Sequence, residues 1–299
     1  MASLFNPSEQ RVLELPNSLF HPEAAVGTRN GLILGNLSYL PYYLNLDTDE
    51  IRVFDTIFAY RKLSSVSPDQ KYALGLTYPQ SFDSSGAPYQ NQWEPVSSPL
   101  VLIDLENEAP IHTFWCSPLL SWIKLHKKWE NIKKWNWLKS NYPSAAVWSG
   151  DGTYLAAGFS CGQIIIWNAQ SRRRVKKLRV PDKAYIYFLG WQENGMLTAM
   201  YTSSKKGKIV QIDPLSGRIL DLKVLKGGGS YFKASYQHGR YMIWADQDNR
   251  VGIFDGLKFE GVYEMTAEVK PRSILIDQNR LLIGGEDGVL YGYSLDGIL

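Results

Sequence analysis

Ala145-Ala146-Val147-Trp148, Ser149-Gly150-Asp151-Gly152, Tyr154-Leu155-Ala156-Ala157-Gly158 and Gln163-Ile164-Ile165-Ile166-Trp167-Asn168 follow one another as strand, turn, strand and strand. The apolar runs are too short for helices, and they are bounded by Ser, Gly and Asp, the mark of buried strands joined tightly. Asx-Gly turns tolerate the positive φ that such hairpins demand. A more polar segment, Ser171-Arg172-Arg173-Arg174-Val175-Lys176-Lys177-Leu178-Arg179, supplies a fourth, outermost strand.

The same order recurs along the chain. Equivalent turns are Thr28-Arg29-Asn30-Gly31, Ser67-Pro68-Asp69-Gln70, Gln192-Glu193-Asn194-Gly195, Tyr236-Gln237-His238-Gly239 and Ile276-Asp277-Gln278-Asn279. Aligned on their third residues (30, 69, 151, 194, 238, 278), they are spaced near 40 residues, with one step of about twice that. A period of this size signals a repeat architecture in which each unit is one small sheet.

At this point the sequence resembles the WD-repeat β-propeller family, whose third strand typically ends in Trp-Asp. Degenerate versions stand at Phe54-Asp55, Ile103-Asp104, Trp167-Asn168, Ile212-Asp213 and Phe254-Asp255. The turn before the third strand is best kept at Asp287-Gly288, while Cys161-Gly162 and Lys206-Gly207 lack the Asp. The family's Gly-His pair is absent. The resemblance implies an all-β fold, a single closed β-propeller over residues 1–299. Six four-stranded blades begin near 23, 61, 144, 184, 230 and 271, and seven is the alternative count. The last unit holds three strands, so a strand near residues 10–15 is expected to close it and remove an open edge. The long step contains two insertions, about 79–98 and 117–142.

The second insertion is expected to be helical, opening at Ser117-Pro118 and bounded by Pro143. It belongs to a tryptophan-rich stretch: five of the ten tryptophans fall between Trp115 and Trp137. Trp122, Leu125, Trp129 and Ile132 form an apolar stripe at helical spacing, with Lys124, Lys127, Lys128 and Lys134 largely opposite and Trp135 nearby. Three readings compete for this element. It packs on the propeller's side, docks a partner protein as an amphipathic helix, or lies in a membrane interface.

Charge follows the same geography. The net charge is only +3. Residues 119–208, however, carry 16 basic and 4 acidic side chains, leaving the other residues net acidic. Arg172, Arg173, Arg174 and Lys176 on the outer strand, with Lys205 and Lys206 in the next unit, extend the basic region of the insertion around one flank.

Catalytic signatures are absent, and neither a cofactor nor a metal site is expected. His21, His112, His126 and His238 show no metal-ligand pairing, and Cys116 near His112 lacks further ligands. Gly227-Gly228-Gly229-Ser230 reads as a connecting loop. The chain is therefore expected to be a non-enzymatic scaffold or adaptor subunit, binding other protein subunits in a hetero-complex. The alternative is a peripheral binder of an anionic surface, membrane lipid or nucleic acid, and a propeller hydrolase is the remote third. Two cysteines, no signal peptide and no long apolar span suggest a cytoplasmic protein.

Overall fold

The computed structural model describes residues 2–6, 9–13, 24–28, 31–36, 39–45, 48, 50–53, 60–77, 100–107, 109–114, 142–182, 184–203, 206–225, 232–277, 280–286 and 290–296. The chain divides into two compact units, 1–143 and 144–299. Every regular element among the described residues is a strand.

The first unit begins with the hairpin β1 (Ala2–Asn6) and β2 (Glu9–Leu13). Two antiparallel four-stranded sheets follow. One contains β3 (Ala24–Thr28), β4 (Gly31–Asn36), β5 (Tyr39–Asn45) and β6 (Ile51–Val53). The other contains β7 (Tyr60–Val66), β8 (Tyr72–Thr77), β9 (Leu100–Asp104) and β10 (Ala109–Phe114). β7 lies against the first of these sheets, beside β3 and β4.

In the second unit the pattern repeats with β11 (Pro143–Trp148), β12 (Tyr154–Phe159), β13 (Gln163–Asn168) and β14 (Arg174–Arg179). Next come β15 (Tyr185–Trp191), β16 (Leu197–Ser203), β17 (Lys206–Ile212) and β18 (Ile219–Val224). A third sheet holds β19 (Phe232–His238), β20 (Tyr241–Asp246), β21 (Arg250–Asp255) and β22 (Glu260–Thr266). The last, β23 (Pro271–Asp277), β24 (Arg280–Gly285) and β25 (Leu290–Ser294), has three strands.

Burial grades across each sheet of this unit. First strands neighbour first strands, β15 beside β19 and β19 beside β23. Middle strands such as β12, β13, β16, β20 and β21 are buried almost throughout, and the last strands are mostly exposed. A strand covered on both faces must be apolar at successive positions, which is why Gln163–Asn168 reads QIIIWN rather than alternating. The core lies between successive sheets. Ile164, Ile166 and Leu178 pack with Ile186, Leu197, Val210 and Ile212. Met200 and Ile209 meet Phe232, Trp244 and Phe254, and Ile243, Val251 and Ile253 meet Ile274, Leu281 and Ile283. Close approach sets some residue choices: a Cβ on Gly252 would stand 2.4 Å from the Trp244 indole, its cross-strand partner, so even alanine displaces the ring.

The turns follow the expected chemistry. Gly152 and Gly195, at φ 72° and 80°, donate their N–H groups to Ser149 O and Gln192 O. Two turns are displaced from their expected positions, the one expected at Ile276–Asn279 by a single residue, because Asp277 pairs with Arg280. Tyr236 to His238 belong to β19, and the turn is Gly239-Arg240, because strand pairing continues to His238↔Tyr241. The strand expected near 10–15 corresponds to β2, and its described partner is β1. Loop-closure entropy favours that local pairing. β8 and β9 pair directly although the 79–98 segment separates them in sequence. That segment and the 117–142 insertion as far as residue 141 lie outside the described residues.

Candidate partner interface

The residues at the ends of third strands do one job in four of the sheets. Asp104 accepts the N–H groups of Glu106 and Asn107, Asn168 that of Ser171, Asp213 those of Leu215 and Ser216, and Asp255 those of Leu257 and Lys258. These are Asx turns that fold the chain back from the third to the fourth strand. The repeat therefore keeps Asp or Asn there because a short acceptor side chain closes the turn. A second device, missed from the sequence, tightens the first hairpin. Ser149 Oγ and Thr153 Oγ1 donate to Asp151, and Ser149 Oγ accepts the Tyr154 N–H. Ser67, Asp69 and Tyr72 repeat the arrangement in the first unit. These donors hold the Asp151 carboxyl at about 2, with the Ser149 hydroxyl as the largest cause.

On this frame β14 presents the basic sequence. Arg172, at φ 57°, forms the turn, and Arg172, Arg173, Arg174, Lys177 and Arg179 are exposed while Lys176 is half-buried. A bulge at Val175 pairs Ile166 with Lys176 and Trp167 with Arg174, so Arg174 and Lys176 stand on opposite faces. Leu178 alone anchors the strand in the core. None of the six cations has an ion-pair partner among the described residues. Elsewhere Lys208 meets Asp182 at 2.7 Å, Arg240 meets Asp255 at 3.1 Å and Lys270 meets Glu286 at 3.6 Å. Unpaired like charges on one edge repel one another, and an anionic partner relieves that repulsion.

Lys206 is exposed and opens β17 rather than sitting in a turn; it pairs with Ser203 across the hairpin. Two residues on, Lys208 reaches Asp182 just past the end of β14, so Lys206 and Arg179 share one end of neighbouring sheets. Lys205, and Trp122, Trp129, Trp135, Lys124, Lys127, Lys128 and Lys134 of the insertion, lie outside the described residues.

A polar seam between the β15–β18 and β19–β22 sheets also escaped the sequence reading. Gln211 Nε2 donates to Gly256 O, Gln237 Nε2 donates to Trp191 O, and the buried Gln192 side chain lies against Gly256. Such ties join residues about 45 positions apart, so no local motif announces them. Among the described residues, no three His, Cys, Asp or Glu side chains converge as a metal site. No helix among them is long and apolar enough to cross a membrane.

No family model matches the chain. The Xenopus tropicalis intraflagellar transport protein 122 homolog is 28% identical over 156 residues, half of this chain but only 13% of that protein's length. Among solved structures, the Myceliophteria thermophila Cps50 (Swd1) β-propeller domain superposes with a TM-score of 0.64 at 12% identity, covering 91% of this chain and 83% of that one. A chain of the mitotic checkpoint complex gives 0.61 at 12% identity, with 91% and 72% coverage, and Kuenenia stuttgartiensis hydrazine synthase gives 0.54 at 13%, with 91% and 95%. At these identities the structural matches speak for fold alone. With the recurring four-stranded sheets and their Asx-closed third strands, they show a fold of β-propeller type, and the repeats are similar to those of WD-repeat proteins.

Proposed function

We propose that the chain is a non-catalytic interaction platform within a protein complex, engaging an acidic surface of another subunit through the basic edge of β14. The observation that carries this is the run Arg172 to Arg179, six cations with no ion-pair partner among the described residues. The 117–142 insertion, with Trp122, Trp129 and Trp135 beside its lysines, is the second contact element in this reading. The platform is a single ring of six blades, closed where β2, whose side opposite β1 carries no described strand, pairs with β25. The likeness to a chain of the mitotic checkpoint complex accords with a subunit role.

Affinity purification tests the reading, comparing wild type with Arg173→Glu/Lys177→Glu and with a deletion of residues 119–139. The expected result is one reproducible set of co-purifying chains, lost with either variant. An unchanged set in both overturns it. The same unpaired cations suit phosphate, so an anionic membrane or nucleic acid is the second reading. Vesicle flotation and nucleic-acid binding across a salt series separate these, since phosphate contacts release counterions and weaken steeply with salt.

A further inference from the structure

The outer strand of the next sheet is built differently. β18 reads Ile219-Leu220-Asp221-Leu222-Lys223-Val224, and its apolar side chains stand in water. Ile219, Leu220, Leu222 and Val224 are 41%, 44%, 37% and 49% exposed, and Leu215 in the preceding turn is 54% exposed. Among the described residues no strand pairs with the outer side of β18. The Leu225 N–H donates inward to Gly207 O, so by strand alternation the N–H groups of Leu222 and Val224 point outward, where that of Leu222 donates to the Asp221 carboxylate at 2.7 Å.

Exposed apolar edges invite pairing with another chain, and proteins ordinarily blunt them with charge or proline. Here the charges are two: Asp221, exposed and holding the Leu222 N–H, and Lys223, which is diverted. Lys223 Nζ donates to Phe259 O in the neighbouring sheet and lies 5.5 Å from the Phe259 ring centroid. The bulge at Leu220 leaves Asp221 to Val224 as regular edge.

Cations bracket the apolar strip. At its start stand the exposed Arg218 and Lys176 of β14, whose Cε would lie 3.1 Å from a Cβ on Gly217. At its far end Lys208 pairs across the ladder with Val224, and Lys206 is exposed two residues away. Lys208 is neutralised by Asp182 and Arg218 lies in the field of the Asp213 carboxylate, whereas Lys176 and Lys206 have no ion-pair partner among the described residues. A segment that pairs along this edge therefore meets positive charge at both ends and, apart from the Asp221 carboxylate that it must displace from the Leu222 N–H, apolar side chains between.

We infer that β18 is the docking edge for an extended segment of a partner protein, apolar at its centre and acidic at both ends, which adds a fifth strand to the β15–β18 sheet. Main-chain hydrogen bonds hold such a segment, and its flanking carboxylates set direction and selectivity. The assignment deepens the platform reading and rests on it.

The probe is a fluorescein-labelled peptide of about nine residues, roughly the span of β18 with its flanks at about 3.3 Å per residue. Valine and threonine alternate in its centre, with two acidic residues at each end. A control peptide carries lysines in those places. Fluorescence anisotropy with the full chain should show saturable binding of the acidic peptide, weakening with salt, and none of the lysine peptide. Leu222→Pro removes an outward N–H, with its local bond to Asp221, and leaves the inward ladder undisturbed; it should weaken binding by about tenfold or more. Val224→Lys, made at an exposed position, keeps the test open if the proline variant unfolds, and should weaken binding severalfold. Equal binding of both peptides, or unchanged affinity in a folded Leu222→Pro or Val224→Lys chain, overturns the proposal. So does a wild-type dimer in sedimentation that Leu222→Pro converts to monomer, because the occupant would then be a second copy. If the peptide fails but charge reversal on β14 still strips co-purifying chains, the platform reading stands and only the β18 edge is lost.

Discussion

β14 and β18 hold the same place in neighbouring sheets, each the outermost of four strands, yet they solve the edge problem in opposite ways. β14 surrounds one buried leucine with cations, and β18 exposes four apolar side chains while its lysine turns to the next sheet. An edge strand has one side without a ladder partner, so its side chains are freed from packing constraints and can be spent on solubility or on binding. β14 guards its edge with charge. β18 guards its edge with a single carboxylate, Asp221 on the Leu222 N–H.

The largest expected difference between them inverts their composition. Leu178→Ala in the charged strand removes a residue packed with Ile164, Ile186 and Val210, and should cost about 2–4 kcal/mol in chemical denaturation. Leu222→Ala in the apolar strand should cost under about 1 kcal/mol, since its side chain already meets water. Comparable losses at the two sites would mean that β18 is covered and the contrast is false.

Acid should also separate them. The turn into β14 is closed by the neutral Asn168 side chain, and the turn into β18 by Asp213. Hydrogen bonds from Ser216, its hydroxyl foremost, hold the Asp213 carboxyl below its ordinary range. A carboxyl lowered in the folded state contributes stability above its unfolded value near 3.9, and loses it as pH falls through the folded value. Amide exchange in the β17–β18 turn should therefore accelerate below about pH 4, while the β13–β14 turn shows no such step from its own cap. Asp213→Asn should abolish the step.

The smallest effects concern the surface itself. Leu220→Lys/Val224→Lys should change the unfolding midpoint little, within about 0.5 kcal/mol, while raising the protein concentration at which light scattering first reports association. Arg173→Glu/Lys177→Glu should be neutral or stabilising by a few tenths of a kcal/mol, roughly the worth of relieved exposed repulsion, and the gain should vanish at high salt.

Most of the strand layout was legible in the chain because its signals are local. The near-40-residue period, the Asp or Asn at third-strand ends and the Gly-closed hairpins each depend on neighbours within a few residues, and the turns at Ser149 and Gln192 stand where their residues place them. The turn expected at Tyr236–Gly239 was displaced because strand pairing ran on to His238. β2 found its described partner in β1, a pairing no pattern announced. Of the candidate contact residues, Arg172, Arg173, Arg174, Lys176 and Lys206 were recognisable as a basic cluster. Only the fold showed that six cations of the Arg172–Arg179 stretch lack described ion pairs. The Gln211–Gly256 tie and the seat of Lys223 on Phe259 join residues 45 and 36 positions apart and left no trace in any short stretch.

By itself, the sequence determined where strands and turns lie and that Arg172 to Arg179 is basic, since backbone preference and formal charge belong to each residue and its near neighbours. Tertiary structure decided which side chains meet water. IIIW in β13 and ILDLKV in β18 both read as apolar strands, yet one is buried and the other is exposed. The physical reason is position in the sheet: the third strand lies inside its four-stranded sheet, and the fourth lies at the edge. Burial is a property of what packs against a strand, and it turned an ordinary apolar hexapeptide into a candidate docking edge.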